Sequence, residues 1–435
     1  MRAASGGGMR ARWLALGWGG WSTLASAQAV VPAEATAPSP DVVAPSEVQP
    51  PASPGEIAPP SLGPVAEKAK PVVETKFGKG FTVRSNDGDF SLQIRGRVQL
   101  QASVLTQPDA PPDVTFAVRR ARLTFRGNLG SKDLEYYVQL GFAPRDMESD
   151  LLIPLRDAFV TWKGLRDLNI AFGQKKVPFN RERVVSSANL ALVDRSITNA
   201  EFTLDRDIGV QLSSDDLGGL GGRLGYQVGV FAGDGRNRVN AGPGLLYVGR
   251  VQVQPLGAFE DSFVEGDLSR DPRARLSIGA GVAFNHLAQR DRSTFGAYYE
   301  AGAFNQLHAE GDVAFKCAGF ALLGEAIYRH ATDGPVRTTT VDGAVVTDVA
   351  RDGLGVMAQA GYLLPPAPVE LSVRYAELFP MGADTALTSK REITGGISAY
   401  LIGHDLKVQA DYGWLTSAPG VPGQHQVRLQ TQVAF

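Results

Sequence analysis

The chain has a single cysteine, Cys317, in 435 residues, so no internal disulfide can staple it. An oxidising destination is permitted but not used, and Cys317 reads as a small apolar residue. Neither sign of charge is in excess, since 43 Lys and Arg face 45 Asp and Glu. With no basic tail and no aromatic-rich basic motif, nucleic acid is excluded as a partner. Histidine is scarce: His286, His308, His330, His404 and His425 are dispersed. No Ser-His-carboxylate set or metal-ligand spacing joins them, so no enzyme, no metal and no other cofactor is expected. Long apolar runs are also missing. Beyond the leader, charges or glycines interrupt every stretch before the roughly 18 residues a spanning helix needs. If the chain enters a membrane, it does so as a closed barrel of strands.

The leader has three zones. Arg2, Arg10 and Arg12 supply positive charge, Trp13 to Leu24 is apolar, and Ala25-Ser26-Ala27 or Ala27-Gln28-Ala29 offers small residues for cleavage. Residues 1–29 therefore read as a secretory signal peptide. Its apolar run is too short to cross a bilayer of about 30 Å at about 1.5 Å per residue. Residues 30–80 follow as a Pro/Ala-rich linker, with prolines recurring from Pro32 to Pro64. This composition cannot bury a core, so an extended periplasmic segment is expected, with cell-wall contact as its alternative use.

From Phe81 the dominant period is two. Leu92, Ile94, Val98, Leu100 and Ala102 alternate with Gln93, Arg95, Arg97, Gln99 and Gln101, giving one greasy and one hydrogen-bonding face. Ala121, Leu123 and Phe125 alternate with Arg120, Arg122, Thr124 and Arg126, and Val427, Leu429 and Val433 with Arg428, Gln430 and Gln432. Segmenting the chain this way predicts sixteen strands, near 90–101, 116–129, 133–143, 155–163, 168–174, 207–213, 223–232, 245–255, 274–286, 308–317, 318–330, 353–364, 369–379, 390–401, 406–415 and 425–435. An even count returns both ends to one side of a membrane.

Alternate connections also differ in length. Residues 130–132, 164–167, 365–368 and 403–405 mark short turns, and 102–115, 175–206, 287–307 and 331–352 mark long loops, as periplasmic and outer connections should. The misfit is 256–273, a long connection on the short side. Phe90, Trp162, Phe172, Tyr362, Tyr400, Tyr412 and Trp414 fall near strand ends, where rings would sit at membrane boundaries. A soluble β-sandwich alternates too; the leader and the Arg and Gln content of the polar face argue against it. Phe435 ends an alternating strand, which resembles the assembly signal of outer-membrane barrels. The expected fold is an all-β transmembrane antiparallel barrel over residues 81–435.

Several blocks then resemble the phosphate-selective porin O and P family: Phe90 to Gln101, Val118 to Gly127 with Arg119-Arg120-Ala121-Arg122, Tyr136 to Phe142, and Asp157 to Pro178 with Gly173-Gln174-Lys175. The likeness is best from about 80 to 255. It implies a sixteen-stranded porin of a Gram-negative outer membrane, a homotrimer in contact with lipid, whose third outer loop folds into the pore. Small anions, phosphate or polyphosphate among them, are the implied solutes. A general, weakly selective porin is the alternative, and a structural tether through the Pro-rich arm another.

By strand parity Arg95, Arg97, Arg120, Arg122 and Arg126 face the lumen and would form a cationic ladder, since guanidinium stays protonated and holds oxyanions bidentately. Glu135 and Asp157 are candidates to neutralise part of it. In the 175–206 loop, Lys175, Lys176, Arg181 and Arg183 would focus positive potential if the loop bends inward.

Overall fold

The computed structural model describes residues 71–148, 150–239, 242–417 and 421–435. The leader and the Pro-rich arm up to residue 70 lie outside the described residues. The strands are β1 (Val72–Lys76), β2 (Gly80–Arg84), β3 (Ser91–Gln107), β4 (Ala110–Asn128), β5 (Leu134–Gly141), β6 (Leu155–Leu165) and β7 (Leu168–Lys176). Two short helices, α1 (Arg181–Val184) and α2 (Ile197–Phe202), separate β7 from β8 (Arg206–Ser214). Then come β9 (Leu224–Phe231), β10 (Leu246–Val253), β11 (Arg275–Ala288), β12 (Phe304–Cys317), β13 (Phe320–Ala331), β14 (Val336–Val341) and β15 (Ala344–Val349). The chain finishes with β16 (Gly353–Leu364), β17 (Val369–Pro380), β18 (Lys390–His404), β19 (Leu406–Thr416) and β20 (Gln424–Ala434).

β3 to β13 and β16 to β20 pair antiparallel in chain order, and β20 returns to β3, from His425↔Thr106 to Ala434↔Arg97. The result is a closed sixteen-stranded barrel, with a strand at each of the sixteen places the alternation predicted. Closure joins the last wall strand to the first, as a hydrocarbon environment demands of a β-structure. The wall is inside out relative to a soluble protein. Val210, Val228, Val251, Ile278, Val282, Val373, Ile397 and Leu429 are exposed on the outer face, while Gln99, Arg120, Gln211, Asp312, Glu325, Arg374 and Gln409 are buried on the inner one. A sandwich would bury the first set, so that alternative is excluded.

Several expectations need correction. Residues 102–115 are not a long loop: β3 and β4 continue to a tight turn at Pro108 and Asp109, the latter at φ 59°. The far half of β4, residues 110–118, is exposed and runs past β5, whose pairing ends at Arg122↔Gly141, with Phe116 81% exposed. Residues 72–84, which the expected boundary at 80 splits, form one hairpin that extends the sheet at the start of β3. Composition missed it because the proline density ends before the pairing begins. β14 and β15 form a separate ribbon in the connection between β13 and β16. Of the aromatics, Phe90, Trp162, Phe172, Tyr362 and Tyr412 are exposed at strand ends. Tyr400 instead faces inward and donates to Glu370 Oε2 at 2.5 Å.

The 177–205 segment does fold inward. Val177, Phe179, Phe202 and Leu204, at its two ends, are buried against Phe231, Leu246, Val248, Ala283, Ile327, Leu378 and Leu387. Each buried phenylalanine contributes roughly 1.5–3 kcal/mol, so an apolar patch inside the barrel pins both ends of the loop. Between them the loop is polar and lies across the lumen.

Candidate functional site

The inward loop divides the lumen electrostatically. On the side of β12, β13, β18 and β19, wall carboxylates receive the loop's own donors. Glu325 accepts from Asn180 Nδ2 and from the Glu182 amide, each at 2.9 Å; Glu392 accepts from the Ile197 amide at 2.8 Å, and Asp411 from the Val193 amide at 3.0 Å. Glu201, near the end of α2, bridges Arg329 (2.6 Å) and Arg351 (2.8 Å). These charges are therefore spent on holding the loop.

The other side is a cavity of about 510 Å³ between the loop and β4 to β8. Eleven cations line it, Arg119, Arg120, Arg122, Arg145, Arg156, Lys176, Arg183, Arg195, Arg206, Arg236 and Arg428, against the carboxylates Asp157, Asp194 and Asp205. Two β-bulges raise this density. In β4 the register slips so that Gln99 faces Arg120 while Leu100 faces Val118, and Arg119 is the extra residue. In β6, Gln139 faces Asp157 while Leu140 faces Leu155, making Arg156 the extra one. A bulge re-aims a side chain that strict alternation would send to the opposite face. Arg119 and Arg120 thus both donate to Asp194, at 3.1 and 3.0 Å, and Arg156 lies 3.3 Å from Asp146.

Carboxylates neutralise only part of the set. Arg122 pairs with Asp146 at 2.6 Å, Arg206 takes Asp157 bidentately at 3.0 Å, Arg428 takes Asp411 at 2.7 Å, and Arg183 pairs with Asp205. Lys176 Nζ instead donates to the carbonyls of Val184 and Val185 (2.8 and 3.3 Å), and Arg195 to those of Glu182 and Val185 (2.8 and 2.7 Å). Arg145 is exposed to the cavity and makes no ion pair among the described residues. Burial opposes ionisation of Asp194, but Arg120 and Arg119 outweigh it and hold the carboxyl well below the usual carboxylate range.

Of the nine candidates read from the sequence, Arg120, Arg122, Lys176 and Arg183 line this cavity. Arg97 is buried behind it, sharing Ser187 Oγ with Arg122 at 3.0 and 3.1 Å. Arg95 and Arg126 lie toward the short-turn end: Arg95 pairs with Asp405 at 2.5 Å, and Arg126 lines a second cavity of about 600 Å³ and donates to Gln93. Lys175 lies over the Phe159 ring, 5.0 Å from its centroid. Arg181 turns to the opposite side, onto Asp312 (2.5 Å), Ser277 Oγ (2.7 Å) and the Ser262 carbonyl (2.8 Å). The ladder is thus a cluster at mid-lumen, not a continuous column. Glu135 pairs with Lys163 outside it, at 2.7 Å. Sequence reasoning missed Arg119 and Arg156 because bulges break parity. It missed Arg145 and Arg236 because they sit on connections that alternation does not describe.

An apolar outer wall around a polar lumen crossed by an inward loop defines a pore-forming β-barrel of the outer membrane. The chain belongs to the phosphate-selective porin O and P family, whose family model matches residues 92–435. Its fold is similar to that of DcaP, an outer membrane channel of Acinetobacter baumannii, with a TM-score of 0.52 and 13% identity over 82% of this chain and 100% of that one. It is similar also to a loop L8 deletion mutant of OmpT, an outer membrane protein of Vibrio cholerae, with a TM-score of 0.51 and 12% identity over 80% and 100%. An anion-selective porin from Comamonas acidovorans aligns at a TM-score of 0.49, with 12% identity over 80% and 100%. At these identities the likeness speaks for the fold. No curated protein matches the sequence.

Proposed function

We propose that this porin is a passive channel for small anions, with phosphate-like oxyanions as the solutes its guanidinium forks suit best. One observation carries the reading: the cavity beside the inward loop is lined by eleven cations and three carboxylates. Lys176, Arg195 and Arg145 line it without an ion pair to any carboxylate among the described residues. Fixed positive charge in a narrow, low-dielectric passage lowers the barrier for anions and raises it for cations. The pairing of Arg119 and Arg120 with Asp194, and of Arg206 with Asp157, favours the competing reading of a weakly selective pore. Reversal potential of the purified protein in a planar bilayer under a KCl gradient separates the two. The first reading expects a clear anion preference and a current reduced by added phosphate; a potential near zero with no block supports the second. The homotrimer implied by the family resemblance belongs to the same proposal, with cross-linking in native membrane as its check.

A further inference from the structure

The long connection between β10 and β11, residues 254–274, lies at the end of the barrel where the other connections are short. It neither hangs free nor slips the register, for β10 and β11 pair regularly from Val253↔Ile278 onward. It enters the barrel instead. Lys316 Nζ, buried on the inner face of β12, donates to the Asp261 and Gly266 carbonyls, each at 2.8 Å, and to the Asp261 carboxylate at 2.9 Å. Arg275 holds Asp267 at 2.5 Å, and the Gly319 amide donates to the same carboxylate at 2.8 Å. Arg270 spans to the Leu364 and Ala367 carbonyls, both at 2.6 Å. From beneath, the connection grips the inward loop. Glu265 takes the Ala191 amide at 2.8 Å and Gln359 Nε2 at 2.9 Å, and its own amide donates to the Asn189 carbonyl at 3.1 Å.

The location decides what this does. The connection covers the side of the lumen whose wall carries buried Glu310, Asp312, Glu325, Glu370 and Glu392 beside buried Arg250, Arg329, Arg374 and Lys407, with Arg250 paired to Glu310 and Asp312 and Arg374 to Glu392. Left open to water, that charge-balanced wall would be a second, weakly selective path parallel to the arginine-lined one, and would dilute its anion preference. We infer that the inserted connection is a selectivity element: it seals this half of the lumen from the periplasmic side, confining solute to the cationic cavity. The inference rests on the anion-channel reading, because sealing an unselective path matters only in a channel that prefers anions.

The test replaces residues 256–273 in the full chain by Asn-Gly, a two-residue hairpin turn, and measures single-channel conductance and reversal potential. Conductance is expected to rise at least twofold, with the anion-to-cation permeability ratio falling severalfold. An assembled variant with the parent's conductance and ratio overturns the inference. A parent without anion preference sinks the preceding proposal instead, and the conductance change still reports on the seal. If the replacement does not assemble, the intact channel decides. With Cys317→Ser as background, Gln359→Cys should react with a cationic methanethiosulfonate from the periplasmic side at least tenfold more slowly than Thr161→Cys, which lines the open 600 Å³ cavity. Equal rates would show this half of the lumen to be open and overturn the seal.

Discussion

Replacing Arg120 and Arg122 together by Gln removes two positive charges from the cavity without leaving any acid alone. Asp194 keeps Arg119, and Asp146 keeps Arg156 at 3.3 Å. The lining would change from eleven cations to nine against the same three carboxylates. At about 6 Å from a passing anion and an effective dielectric of about 40, each charge contributes roughly 1.4 kcal/mol. Screening over a Debye length of about 10 Å cuts the pair from about 2.8 to about 1.5 kcal/mol. Anion permeability should therefore fall about tenfold, and the anion-to-cation ratio by at least that much because the same change favours the cation. Planar-bilayer reversal potentials under a KCl gradient measure this directly, and heat-modifiable gel mobility verifies that the variant folds. A folded double variant whose ratio stays within about twofold of the parent's would refute an electrostatic filter at this cavity. It would leave the arginines as structural groups that bind the loop.

Leu123→Arg, on the outer face beside the same arginines, should cost about 2–4 kcal/mol near the bilayer midplane and reduce folded barrel in the outer membrane; normal yield would contradict the assignment of faces. The pH response should be flat. A carboxylate held low, as Asp194 is by Arg120 and Arg119 against the penalty of burial, stabilises the fold above its unfolded pKa and loses that contribution only as pH falls through the depressed value. Between pH 7 and 5 the permeability ratio should thus change by less than about twofold, and a large rise at pH 5 would mean that the acid titrates there. Removing Phe435 deletes two backbone hydrogen bonds with Gly96, at 2.7 and 3.0 Å, and the ring that packs against this glycine. Assembled yield should fall severalfold while the conductance of surviving channels stays the same, and an unchanged yield would deny the terminal strand its part in closure.

The wall was legible in the sequence because one physical demand repeats along it. A strand between lipid and water must alternate, and the sixteen strands do so with few exceptions. The inward loop was legible from its length and from the family resemblance, whereas the apolar residues that pin its ends, Phe179 and Phe202, were not singled out. The filter was only partly legible. Parity identifies Arg120 and Arg122, yet two slips of register bring in Arg119 and Arg156. No one-dimensional period reports which carboxylate on a distant strand will meet Arg181 or Lys316. The connection at 256–273 registered in the sequence only as a misfit, since its partners Arg275, Lys316, Gln359 and Ala191 are gathered by closure of the barrel and not by spacing along the chain.

The closing pair, β20 against β3, also constrains how the protein is made. Gln432 receives the Gln99 amide across 333 positions of chain, so the edge of the first barrel strand stays unpaired until nearly the whole polypeptide is present. Contacts at such separation are slow to form. An open sheet with a greasy outer face would meanwhile offer its edges to other chains. Stepwise folding as the chain emerges is therefore closed to this topology. Until the last strand zips to the first the sheet is an incomplete barrel with open edges, so that pairing is the step that completes the membrane-spanning wall.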